Sequence, residues 1–161
     1  MPSVSKSTSE SVIFYRFVEA YRSKTGVSLI RATQREAPDF AAVDEATNLP
    51  VRLEVTSVYQ DAEEAMYDLW RSEGGEGFYR GDQEKIVEEF NRIIENKSKK
   101  SSDYKFSGKL ILVIYLGSRV FNQEIDVRYM QPGIHIPKNC FAEIWVLIHS
   151  NNGGYDVFQL A

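Results

Sequence analysis

Two carboxylates and a lysine offer the clearest chemistry in this 161-residue chain. Residues 51–58 alternate in the manner of a strand, so Val51, Leu53 and Val55 fall on one face and Arg52, Glu54 and Thr56 on the other. Asp39 follows Pro38 in the preceding strand-like stretch, and residues 44–50 between them are rich in turn formers. A hairpin symmetric about Ala46 and Thr47 brings Asp39 nearly opposite Glu54. Adjacent carboxylates repel unless one is protonated or a cation lies between them. Ligands made only of oxygen suit Mg²⁺ or Mn²⁺. An ion held in this way supplies what phosphodiester cleavage needs, charge neutralised on the phosphate and a water made nucleophilic.

Two further charges are expected to point inward. Ile86, Phe90 and Ile93 form a helical stripe that continues by spacing to Lys97, and Glu10 precedes Phe14 and Phe17 by four and seven residues. Each residue also has a plainer reading. Asp39 would cap a turn after Pro38, Glu54 would be solvated, Lys97 would snorkel past the core edge, and Glu10 would complete a capping box with Ser7. Their convergence from separate elements favours a site. Between positions 97 and 109, five lysines (97, 99, 100, 105 and 109) face one acid, Asp103. Lys99, Lys100 and Lys105 thus fit a phosphate-backbone track, or else an ordinary helix end where cations answer the helix dipole.

The elements that must position these residues follow from periodicity. Residues 1–6 read as a tail, and Ser7-Thr8-Ser9-Glu10 opens an amphipathic helix that ends before Gly26. Strands are expected at 27–33, 38–43 and 51–58. A short helix is expected at 62–71, a glycine-rich loop at 73–77 and a longer helix at 82–96. The nearly continuous apolar run 109–116 reads as a strand buried on both faces, 141–149 repeats it, and 155–160 returns through the turn 151–154. Residues 117–140 carry no clear pattern. The order is helix, three strands, helix, strand and a C-terminal strand hairpin, an α/β fold with a mixed sheet flanked by helices.

Ala37-Pro38-Asp39-Phe40 followed by Leu53-Glu54-Val55-Thr56 resembles the signature of the PD-(D/E)XK nuclease superfamily, over roughly residues 7–116. The resemblance implies a restriction-endonuclease-like core, metal bound by Asp39 and Glu54, and hydrolysis of nucleic acid, DNA in the first instance. In that superfamily a lysine two residues after the glutamate helps position the attacking water, and Thr56 stands there instead. Some members carry the lysine on the following helix, where Lys97 is placed, and Glu10 is similar to an acid that some bring from the first helix. A non-catalytic descendant that binds nucleic acid or a protein is the alternative, and an unrelated interaction domain is another.

Composition narrows the class. The length suits one domain, and 43% hydrophobic residues suffice for a core. The longest apolar run, Leu110 to Leu116, is far short of the roughly 20 residues of a membrane span. No membrane partner and a cytoplasmic location are expected, and a homodimer is left open. The net charge of −4 means that nucleic acid must be met by a local patch. Cys140 reads as a buried small residue, while His135 and His149 lack the context of a catalytic base. Tyr67, Trp70, Phe78, Tyr79 and Arg80 suit either a base-stacking lid or an aromatic cluster anchoring a loop.

Overall fold

The structure is a computed structural model that describes residues 6–36, 38–59, 83–104, 106, 108–118 and 120–161. Its elements are α1 (Lys6–Thr25), β1 (Leu29–Gln34), β2 (Phe40–Asp44), β3 (Pro50–Val58), α2 (Gln83–Ser101), β4 (Lys109–Leu116), α3 (Glu124–Met130), β5 (Glu143–His149) and β6 (Tyr155–Gln159). The strands form one mixed six-stranded sheet in chain order. β3, β4 and β5 run parallel to their neighbours in the centre, while β1–β2–β3 and β5–β6 are antiparallel. The chain is therefore α/β, with the expected mixed sheet and C-terminal hairpin.

Two apolar layers fix which side chains face which helix. α1 buries Phe14, Phe17 and Tyr21 against Leu53, Val55, Ile111 and Val113, and the Phe14 ring stacks on Phe40 with centroids 4.2 Å apart. On the opposite face, Ile86, Phe90 and Ile94 of α2 and Val127 of α3 pack on Leu112, Ile114, Ile144 and Val146. Burying each large side chain contributes about 1.5–3 kcal/mol, so both faces of the central strands are strongly specified. Glu54 alternates with Leu53 and Val55 and so belongs to the α2 face, as the sequence indicates.

Several boundaries differ from expectation. α1 already includes Lys6, which the sequence assigns to a tail, so the helix begins before the Ser7 from which the sequence starts it. The helix does end before Gly26, whose φ of +78° suits glycine and whose N–H donates to the Arg22 carbonyl at 2.8 Å. α2 runs past Asn96 to Ser101. Its polar last turns persist because Ser98 and Ser101 are small and buried, the Ser101 hydroxyl donates to the Ser98 carbonyl at 2.7 Å, and Lys99 and Lys100 answer the dipole. The unpatterned stretch 117–140 contains α3, which is too short to show a period but buries Val127 and Met130. The helix and loop expected at 62–71 and 73–77, and the aromatic cluster there, lie outside the described residues.

Candidate functional site

The β2–β3 hairpin sets the site's geometry. Its ladder pairs Phe40 with Leu53 and Val43 with Pro50, a register that continues to Asp39 opposite Glu54. The turn is held by the Asp44 carboxylate, which accepts the Ala46 N–H at 3.0 Å, and by Asn48 at φ +57°. Asp39 sits one residue beyond the last ladder pair. Its Oδ2 accepts the Val55 N–H at 2.8 Å, and its carbonyl accepts the Arg35 N–H at 2.7 Å. The aspartate thus fastens the end of β2 to both neighbouring strands, and only 8% of it is exposed. Burial pushes its carboxyl from 3.8 up to about 6, opposed by the Val55 hydrogen bond and reinforced by the negative charges of Glu54 and Glu10.

Glu54 is buried beside Asp39 and lies next to Leu112 of β4. Lys97 Nζ donates to Glu54 Oε1 at 2.6 Å, and the lysine side chain is 20% exposed. This is the inward direction that the stripe Ile86, Phe90, Ile93 implies. Among the described residues, the second oxygen, Oε2, is buried without a well-formed hydrogen bond. An anionic oxygen in that position is costly to leave alone.

A cleft of about 180 Å³ opens beside this group, lined by Ser9, Glu10 and Ile13 from α1, Val55, Thr56 and Ser57 from β3, and Lys97 from α2. Glu10 is half-buried there, and its charge reaches Asp39. Thr56 is half-buried at the cleft on the Glu54 face of the strand. Asp39, Glu54, Lys97, Glu10 and Thr56 therefore lie around the middle and C-terminal half of β3. Asp39 and Glu54 do not themselves line the cleft and are both buried, so the open space lies beside the carboxylates and is bordered by Glu10, Thr56 and Lys97. Among the described residues, no group of three or more histidine, cysteine, aspartate or glutamate side chains is arranged to hold a metal.

The basic run does not form one patch. Lys99 and Lys100 are exposed on the solvent side of α2, and Lys99 pairs with Glu95 at 3.2 Å. Lys109 points to the α1 face, where it pairs with Glu143, itself bonded by Tyr21 and by the Trp145 indole at 2.8 Å. Lys105 lies outside the described residues. Cys140 is exposed, contrary to the buried position expected, because it sits in the loop before β5 with its N–H donating to the Ser101 hydroxyl. His149 meets the Tyr115 hydroxyl at 3.1 Å.

Tyr104 is the neighbour that sequence reasoning misses. The turn after α2, where its N–H donates to the Ser101 carbonyl at 3.2 Å, brings its phenol toward the carboxylates. Burial first, then the negative charge of Glu54 and the phenol's hydrogen bonding toward that carboxylate, raise the pKa of the phenol. A lone tyrosine after a lysine-rich helix end carries no periodic signal that could have located it. Comparison with family models, curated proteins and solved structures finds no match.

Proposed function

We propose that this chain is a metal-dependent phosphodiester hydrolase acting on nucleic acid, with DNA as the first substrate to test. What supports the reading is the convergence of Asp39, Glu54 and Lys97 at one buried place, where Glu54 Oε2 has no well-formed hydrogen bond among the described residues. The resemblance to PD-(D/E)XK nucleases, carried by Pro38-Asp39 and Glu54-Val55-Thr56, agrees with it.

A divalent cation bound by Asp39 and Glu54 would neutralise phosphate charge and lower the pKa of a water. The protein's own groups then have distinct tasks. Asp39 is held by Val55 so that a second carboxylate oxygen stays available, and Glu54 contributes Oε2 from the strand. Lys97 keeps a positive charge beside Glu54 and has further N–H donors for a water or a phosphate oxygen. The Thr56 hydroxyl lines the approach but brings no charge, so the ammonium must come from α2. Glu10 adds negative charge near Asp39 and would strengthen the field that draws a cation.

One feature favours a second reading, a nuclease-like domain that binds nucleic acid or protein without turnover. Lys97 already neutralises Glu54 directly, and Thr56 replaces the expected strand lysine. Incubating the protein with single-stranded, double-stranded and branched DNA, each with Mg²⁺ or Mn²⁺, separates the two. Metal-dependent cleavage of any of them supports hydrolysis. Binding without cleavage under all conditions favours the second reading.

A further inference from the structure

The sheet face that carries Asp39 and Glu54 also carries two arginines that the hydrolytic site does not use. Arg35 lies opposite Asp39, since Gln34 pairs with Phe40 and the Arg35 N–H donates to the Asp39 carbonyl. Gln34 faces α1, where its side chain accepts a hydrogen bond from Ser11, so alternation turns Arg35 to the face of Asp39 and Glu54. Arg52 precedes Glu54 by two positions on the same face of β3. Arg35, Asp39 and Glu54 thus form a row across three strands, with Arg52 beside the row.

The Arg52 guanidinium is held in place by a neighbouring ring. Its carbon lies 4.9 Å from the centroid of the Phe106 ring, a cation–π distance. Phe106 reaches that position because residue 108 is glycine. A Cβ there would stand 2.4 Å from the ring and 3.0 Å from the Pro50 carbonyl oxygen. Partial burial, and then the like charge of Arg35, both disfavour the charged form of Arg52. Among the described residues, neither guanidinium has an ion-pair partner. Two like charges on one face of the sheet, one of them oriented by a ring, can receive an anion between them, and the planar guanidinium fork matches phosphate oxygens.

We propose that Arg35 and Arg52 form a guanidinium pair that receives a backbone phosphate of the nucleic acid beside the Asp39–Glu54 carboxylates. The proposal rests on reading that site as one that acts on phosphodiesters. It gives the polyanion a foothold on the sheet in place of the α2 lysines. A phosphate bound there would relieve the repulsion between the two arginines and set the position of the chain relative to Glu54. Arg52 would do this with little loss of side-chain freedom, because Phe106 orients it beforehand.

The test measures binding of fluorescently labelled single-stranded and duplex DNA to the metal-free protein by anisotropy over a series of salt concentrations. Arg35→Gln and Arg52→Gln are compared with the parent and with Arg128→Gln, which removes an arginine on α3 that pairs with Glu124. Each of the first two should weaken binding by about three- to tenfold and reduce the salt slope by about one. Arg52→Lys should restore the slope but only part of the affinity, since it keeps the charge and loses the fork. Phe106→Leu should weaken binding although both arginines remain. Circular dichroism confirms that each variant is folded.

If Arg35→Gln and Arg52→Gln bind like Arg128→Gln, or if the parent binds neither DNA, the proposal is overturned. A parent that binds DNA through these arginines but cleaves nothing would remove the hydrolytic reading and leave the guanidinium pair standing. A parent that cleaves, with arginine variants that bind and cleave as it does, would remove the pair alone.

Discussion

Lys97 and Glu54, 43 residues apart in sequence, meet at 2.6 Å in a mostly buried ion pair that joins α2 to β3. Removing one partner strands the other's charge. Lys97→Met should therefore destabilise the protein by about 2–4 kcal/mol in urea unfolding, somewhat less than for a wholly buried pair because the lysine tip reaches solvent. The double variant Lys97→Met with Glu54→Gln should recover much of that loss. If the single and double variants are equally unstable, the pair is not what holds these elements together.

Asp39 sets a pH dependence whose sign is fixed by its raised pKa. The folded protein holds this proton up to about pH 6, against 3.8 for the free side chain. Its contribution to stability is thus fully present below the unfolded value and is lost as pH rises through about 6. Asp39→Asn keeps an oxygen for the Val55 N–H and removes the ionisation. The variant should match the parent near pH 4 and exceed it by about 1–3 kcal/mol above pH 7, since a tenfold change in proton affinity corresponds to about 1.4 kcal/mol. Chemical unfolding across that range checks this. A difference that does not change with pH would contradict it.

Metal binding should run in the opposite direction. Mn²⁺ needs the Asp39 carboxylate ionised, so its affinity should rise with pH through about 6 and level off above. Isothermal calorimetry should show weak binding to the parent and at least about a tenfold loss in Asp39→Ala and in Glu54→Ala. Equal binding by all three would place the cation elsewhere.

Thr56 and Lys97 can be tested as alternative sources of one positive charge. Thr56→Ala should keep most activity, whereas Lys97→Ala should lower single-turnover cleavage by about 100-fold or more. Thr56→Lys should partly rescue Lys97→Ala, because a strand lysine shares the Glu54 face and can occupy the space the alanine leaves. A double variant that folds and binds Mn²⁺ yet stays as inactive as Lys97→Ala would count against a charge supplied from the helix. Removing Lys99 or Lys100 should leave turnover unchanged, since both point to solvent.

The parts of this site that are legible in the sequence are those governed by short periods. Alternation in residues 51–58 puts Glu54 on the face away from Leu53, and the helical stripe aims Lys97 inward. The symmetric turn aligns Asp39 with Glu54 to within the observed register. Tyr104 and the Arg35–Arg52 juxtaposition are not legible, because they depend on how β1 and the turn after α2 close around the hairpin. The same holds for Lys109, where one step along the strand decides whether it joins a basic patch or pairs with Glu143. α3 escapes notice because seven residues barely span two turns. Cys140 shows the limit of composition, since a residue type that is usually buried sits exposed here in the loop before β5.

Whether Asp39, Glu54 and Lys97 form a metal-dependent phosphodiesterase site is tested most directly by single-turnover DNA cleavage with Mn²⁺ by the parent and by Glu54→Gln, purified side by side. Glu54→Gln keeps the shape of the side chain and can still accept a hydrogen bond from Lys97, but it removes the anionic Oε2. The parent should cleave, chelation should abolish the cleavage, and the folded variant should lose about 1,000-fold in rate. Cleavage by Glu54→Gln at the parental rate would contradict a site built on these three residues.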